Sequence, residues 1–347
     1  MTRLARGVFL GGKPVLASSQ PGALWNPLNP DYTAGSGSAP TAMFPSSPWT
    51  YQIPATPTLA GNSAALVTNL TTGMTNYGGS MTLGAGASRY VVHGKQLAWQ
   101  TMQVNPADRW GPAPVGSLSV PFGPSVLPGP ASDYQVVIWD VDNETVGAYT
   151  GPMAYNYWVE NPNLTCNTFN RQPTDGSYTA GFGAWAGEPT ALTTTTAASG
   201  CNYGAGLITV ADWVYGSINH ALMLTVGWAT GTPVAPATSS DGSTSIASGG
   251  IPEGTLYFFK STVNPSQTGW SAFESMVFAA LKAYGMYAVD QDGGYFSIAM
   301  ENPVPWQAFQ GFPTTAPPYW PVNMSAAYNA FPHIPWSSLS VLTPGSN

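Results

Sequence analysis

From about residue 49 onward the chain alternates short apolar runs with clusters of Gly, Pro, Asn and Asp. That spacing predicts a mainly β fold, an antiparallel β-sandwich or jelly-roll-like domain. The run Tyr134-Gln-Val-Val-Ile-Trp139 reads as a strand, Asp140-Val-Asp-Asn-Glu144 as a turn, and 145–149 as the return strand. Residues 207–210, 218–226 and 255–260 read as further strands. A helical period appears once, with Phe273, Met276, Val277, Ala280 and Leu281 recurring on one face. Ser271 and Glu274 stand at capping-box spacing before it, and Gly285 suits a left-handed stop. One packed helix is therefore expected at about 271–284. It leads into a strand at 286–289, a turn at 290–294 and a return strand at 295–300, a second hairpin.

The flanks have a different texture. Residues 1–48 are rich in Pro, Gly, Ser and Ala, with Trp25, Tyr32 and Phe44 interspersed. Such a segment buries too little surface alone to offset its ordering entropy, so it is expected as an extended arm anchored on a neighbour. Residues 301–347, rich in Pro and aromatics, are expected to wrap the surface in extended form. Between them lies the domain, 49–300, with long Thr/Ser/Gly-rich loops at 160–206 and 228–250. Loops of that length in a compact domain are functional or mobile.

Composition changes this picture mainly through charge. Only 7% of the 347 residues are charged, while 44% are hydrophobic. A large core is available, and the surface must be built from neutral polar side chains. Contacts made by such a surface are insensitive to salt, as suits exported proteins and virus particles. The net charge is −7, and the nine Lys and Arg are scattered. Polyanion binding needs clustered cations, so nucleic acid is excluded as a partner. No segment approaches the roughly 18 apolar residues of a membrane span. The N-terminal text, with Gly11 and Gly12 breaking a short apolar stretch after Arg3 and Arg6, does not read as an export leader. An outward-facing composition without an export address leads to the expectation of a virion protein, assembled in the host cytoplasm and acting outside; a secreted protein is the alternative.

Several segments in order resemble a family of uncharacterised secreted proteins of actinobacteria and other soil organisms. They are Phe44-Pro-Ser-Ser-Pro-Trp49 with Gly61-Asn-Ser63, Asp133-Tyr-Gln-Val-Val-Ile-Trp-Asp-Val-Asp142, Ser217-Ile-Asn-His-Ala-Leu-Met-Leu-Thr225, and Leu281-Lys-Ala-Tyr-Gly-Met-Tyr-Ala-Val-Asp290. The resemblance covers roughly residues 44–340. It implies a β-sandwich-like domain associated with polysaccharide-rich surfaces, and no particular chemistry. Between Glu144 and Ile218 the usual charged wording gives way to Thr, Ser and Gly. With its N-terminal arm, this form also looks like a minor tail protein of an actinobacterial phage.

Candidate chemistry is sparse. Paired carboxylates serve glycoside hydrolysis, one as acid and the other as nucleophile or base. Asp133, Asp140, Asp142 and Glu144 bracket one predicted hairpin, and Asp290 and Asp292 lie in the other. The same residues are also ordinary turn formers. His220 falls among apolar neighbours. It serves either as a general acid/base, with Asp133 or Asp290 as its partner, or as a buried histidine satisfied by a carbonyl. The catalytic set for a polysaccharide hydrolase or lyase would be Asp133 or Asp140 with Asp290 and His220. Tyr155, Tyr157, Trp158, Trp185 and Trp213 fall in or near predicted loops, where rings can stack on sugars; others of the 13 Trp and 17 Tyr belong to the core. Cys166 and Cys201 either pair as a disulfide or both remain thiols, and neither has zinc-site spacing. No metal or cofactor is called for. The expected role is a phage tail or tail-tip component contacting other tail proteins, further copies of itself and host cell-surface polysaccharide. A polysaccharide-degrading enzyme and a capsid decoration protein are the alternatives.

Overall fold

The structure, a computed structural model, describes residues 8–10, 13–15, 42–76, 81–85, 87–92, 99–104, 116–122, 126, 135–146, 148–161, 165–175, 182, 197–209, 212, 216–301 and 330–345. The fold is mainly β, as the apolar pattern predicts. Apart from a short hairpin of β1 (Val8–Leu10) and β2 (Lys13–Val15), the strands form two six-stranded sheets.

The first sheet contains β3 (Thr82–Ala85), β10 (Leu222–Val226), β11 (Leu256–Phe258), β12 (Met286–Gln291), β13 (Ser297–Met300) and β14 (Ser340–Val341). Their order is β14-β11-β12-β10-β13-β3. The second contains β4 (Ser88–Val92), β5 (Trp99–Val104), β6 (Gly116–Pro121), β7 (Gln135–Val146), β8 (Tyr149–Asn161) and β9 (Thr165–Pro173), in the order β4-β7-β8-β9-β5-β6. Both sheets mix parallel and antiparallel pairs.

Alternation of side chains along each strand distributes them over three cores. In β12, Met286 and Ala288 face a core shared with two helices, while Tyr287 and Val289 face the space between the sheets. In β7, Val137 and Trp139 face that same inter-sheet space, and Val136 and Ile138 face an outer core with Tyr155, Tyr157 and Phe169. These strands read as continuous apolar runs because each is buried on both faces.

The expected helix is present as a helix over Ala272–Ala283, here α2, with α1 (Ser63–Asn76) preceding it in the chain. The Glu274 N–H donates to Ser271 Oγ at 3.1 Å, and the Ser271 N–H donates to Glu274 Oε2 at 3.0 Å, closing the capping box. Gly285, at φ +79°, stops the helix where a Cβ would run into the Tyr257 carbonyl. The same Glu274 accepts the His333 N–H at 3.0 Å, tying the C-terminal segment to the helix start. Burial works to raise the Glu274 pKa. The hydrogen bonds from Ser271 and His333 outweigh it and hold the carboxyl below its ordinary value.

Helix α1 was not expected from the pattern, because four Thr and Gly73 lower its intrinsic propensity. Leu66, Leu70 and Met74 nevertheless recur at helical spacing and are buried. Three of its threonines satisfy themselves within the helix: Thr68, Thr71 and Thr75 each donate to the carbonyl four residues back, at 2.9 Å. Gly73 is required by packing, since a Cβ there would run into the Phe296 ring.

Other expectations shift. Residues 140–144 are not a turn: β7 continues to Val146, opposite Tyr149, and a register shift between Asp140 and Glu144 absorbs the irregularity as a bulge. The strands at 286–300 do not form a hairpin, because β10 lies between them, parallel to β12 and antiparallel to β13. Of the strand expected at 207–210, residues 207–209 contribute an isolated bridge from Ile208 to Met300, and residue 210 lies outside the described residues. The segment 160–206 contains β9, and 228–250 is knit together by backbone bonds such as Thr244 N–H to Ala229 O and Ile251 N–H to Trp228 O.

Trp49 fixes the seam between the sheets. It sits in a single 3₁₀ turn (Pro48–Thr50) capped by Ser47. Its ring stacks on Phe182 at 5.1 Å and meets Tyr287 edge-on at 5.3 Å. Its carbonyl accepts from the Ala221 N–H at 2.6 Å. Of the N-terminal segment 1–48, residues 42–48 carry Met43 and Phe44 into this same core. Most of that arm, and residues 302–329 of the tail, lie outside the described residues. The described tail segment, 330–345, places Phe331, Trp336 and Val341 in the helix-side core.

Truncation of Trp49 to Ala should cost about 3–5 kcal/mol in chemical denaturation, because the ring fills a site lined on several sides. Glu274 should set an acid limb of stability. Its folded pKa is depressed, so its contribution is present above the ordinary carboxylate range and lost as pH falls through the folded value. In Glu274→Gln that limb should flatten in thermal melts taken against pH, while Glu274→Ala should lose about 1 kcal/mol of capping at neutral pH.

Candidate functional site: a carboxyl cluster at the end of the first sheet

β10 and β12 run parallel, with β11 and α2 between them in sequence. Ligands of open sheets with parallel strands gather beyond the strands' carboxyl ends. In this molecule that end carries Asp290 and Gln291. Tyr203 donates its hydroxyl to Asp290 Oδ2 at 3.1 Å, and the Gln291 N–H donates to Asp290 Oδ1 at 3.0 Å. Gln291 Oε1 in turn accepts from the Ala229 N–H at 2.7 Å, fixing the loop that follows β10.

Glu253 completes the cluster. Its side chain is fully buried, neither carboxyl oxygen makes a close hydrogen bond, and the donor that favours its charged form is the Asp241 backbone N–H. Its neighbours include the carboxyls of Asp241 and Asp290. Two carboxyls approach one another favourably only by sharing a proton. Burial first, then the adjoining Asp241 carboxyl, then the charge of Asp290 push the Glu253 pKa up to about 10. Cys201 stands in the same region, and its thiol is pushed up chiefly by burial. The group is thus a neutral acid beside one exposed and one half-buried carboxyl, Asp241 and Asp290. Among the described residues no three His, Cys, Asp or Glu side chains are placed to hold a metal ion.

A second polar group surrounds His220. Nδ1 lies 2.8 Å from the Ala221 carbonyl oxygen, and Nε2 lies 3.4 Å from Asp212 Oδ2. Asp212 Oδ2 also accepts the Thr209 N–H at 2.8 Å and the Thr209 hydroxyl at 2.7 Å. His220 and Asp212 are both buried. The histidine therefore has a carbonyl and an aspartate as partners, and the aspartate is neither Asp133 nor Asp290.

The structure places the described members of the expected catalytic set on different elements. Asp140 pairs with Met153 and shares its face of the second sheet, the outer one, where it is fully buried. Asp290 ends a strand of the other sheet, and His220 belongs to the Asp212 group. Asp133, Trp185 and Trp213 lie outside the described residues. Trp158 is on β8, paired with Gln135 and Thr168. Tyr157 and Tyr155 are corrected: both are fully buried in the outer core, because β8 is covered on that face, and neither offers a ring to a sugar. Cys166 lies in the outer core and Cys201 in the inter-sheet core, so the sheet itself separates them and no disulfide joins them.

Sequence reasoning missed Asp212, Tyr203, Asp241 and Glu253. Thr209-Val-Ala-Asp212 carries capping-box spacing, which was the available signal for Asp212. Glu253, between Pro252 and Gly254, reads as a surface turn residue and gives no local signal. Compared with family models, curated proteins and solved structures, the chain matches none of them. Among the described residues no helix is long and apolar enough to cross a membrane.

If Asp212 is the brace its contacts describe, Asp212→Ala should cost about 1–3 kcal/mol, because Thr209 N–H, the Thr209 hydroxyl and His220 each lose a buried acceptor. Urea denaturation of the variant checks this, and an unchanged midpoint would remove the structural assignment.

Proposed function

We propose that this chain is a structural protein of a virus particle, a minor tail or tail-tip component of a bacteriophage that meets host envelope glycans through its neutral polar loops. The observation that carries this reading is the inward use of ionisable side chains. Glu274 caps a helix and holds His333. Lys282 donates to the Ser261 and Val263 carbonyls and to Asn264 Oδ1, at 3.2, 3.1 and 2.7 Å. Asp212 gathers Thr209 and His220. Groups that an enzyme would present in an open cleft are here braces of the fold, leaving a surface of Ser, Thr, Asn and Gly for contacts. Such contacts tolerate changing salt, which an extracellular particle must do. The resemblance of several segments, in order, to secreted actinobacterial proteins is consistent with the same setting. The partners in this reading are other tail subunits, further copies of the chain and host polysaccharide.

Immunogold labelling of purified particles should place the protein on the tail; label on the capsid shell would favour the decoration role instead. Equilibrium dialysis against host cell-wall polysaccharide should show binding that changes less than about twofold between low and high salt, as expected where few charges are there to be screened. Release of reducing ends or unsaturated sugars in the same incubation would overturn the non-enzymatic reading.

A further inference from the structure

Residues 230–241 cross the carboxyl end of β12 as a strap. The strap is pinned on two sides. The Val234 N–H donates to the Glu253 carbonyl at 2.8 Å. The Thr238 N–H donates to the Ser199 carbonyl at 2.9 Å, and the Ser239 hydroxyl to the Ala198 carbonyl at 2.6 Å. Ala237 packs against the inter-sheet core. The fit is close at Gly254, where a Cβ would run into the Val234 carbonyl. The Glu253 carboxyl is sealed in this same region, with neither oxygen in a close hydrogen bond.

We infer that residues 230–241 are a proton-latched strap, closed over the end of β12 while Glu253 carries its proton and loosened when that proton leaves. The titratable groups facing Glu253 are Asp241 from the strap, Asp290 from β12 and Cys201 from the segment beneath, with Tyr203 bonded to Asp290. None of them carries positive charge. An ionised Glu253 in the closed state would therefore be a buried anion beside two further carboxylates, and the Asp241 backbone N–H is too little to compensate its lost hydration. Opening the strap returns the carboxyl to water.

The sign follows from proton binding. The closed strap keeps the Glu253 proton up to about pH 10. A hydrated glutamate releases it near its ordinary value of about 4.3. The closed state binds the extra proton, so closure is fully favoured below the ordinary glutamate value and weakens steadily as pH rises toward the folded one. This device is independent of the particle assignment, since it concerns only the strap and the groups beneath it.

Hydrogen exchange on the whole protein tests it, with rates normalised for intrinsic exchange. Protection of the Val234 and Thr238 amides should fall close to tenfold per pH unit, on the order of 10,000-fold between about pH 5 and about pH 9, by one-proton linkage. Amides of β10 should hold their protection over that range. In Glu253→Gln, a neutral isostere, the strap should stay protected throughout. Strap protection that ignores pH in the wild type, or that falls equally in Glu253→Gln, overturns the latch. So does restoration of wild-type protection at the alkaline end by millimolar calcium, which would make the cluster a cation site. Independently of any variant, the infrared carbonyl stretch of a protonated carboxylic acid should persist at neutral pH, and its absence also overturns the proposal.

Discussion

The burial of central strands on both faces is the constraint from which the rest of this structure follows. A strand such as β12, with Met286 and Ala288 on one side and Tyr287 and Val289 on the other, must have a cover on each. The helices α1 and α2 supply one cover of the first sheet, and the second sheet supplies the other. On its outer face the second sheet packs Tyr157 and Phe169 with Phe122 and Val126 from the segment after β6. Trp49 and the segment 197–209 close the middle layer. Asn156 of β8 accepts the Tyr203 N–H at 2.8 Å, the Ser199 N–H donates to Val289 of β12, and Tyr203 reaches Asp290. That segment is tied to both sheets, so the sandwich is held by specific polar bonds as well as by apolar contact.

So much apolar surface leaves little room for charge, and the few ionisable groups that enter the layers need partners. Glu274, Asp212 and Lys282 find donors or carbonyls at strand and helix ends, where backbone groups are otherwise unsatisfied. Glu253 differs from them in meeting mainly other carboxyls. The two behaviours come from the same scarcity: the chain has nine Lys and Arg in 347 residues, and among the described residues no cation acts on Glu253 at the end of β12.

Where signals are local, the sequence is sufficient. Ser271, Glu274 and Gly285 specify α2 through contacts within one turn, and the apolar runs of β7 and β12 specify strands because burial on two faces leaves no polar alternation. Where the deciding contact is distant, local text misleads. Asp140-Val-Asp-Asn-Glu144 has turn composition, yet pairing along β8 carries the strand through it. Helix α1 has weak propensity, yet Phe296 and Tyr257 hold it in place through Gly73 and the Leu66 carbonyl. The candidate site divides in the same way: Asp290 and His220 stand out in the sequence, but their partners Tyr203 and Asp212 come from elsewhere in the chain.

By itself the sequence determined a β-rich, charge-poor chain with a capped helix at 272–283, since these depend on composition, two-residue alternation and hydrogen bonds spanning a few positions. Only the tertiary structure decided that β10 separates β12 from β13, that Cys166 and Cys201 lie on opposite sides of a sheet, and that Glu253 loses its water beneath residues 230–241. Those outcomes depend on which segments cover one another, and covering is settled by long-range packing that no short stretch of sequence encodes.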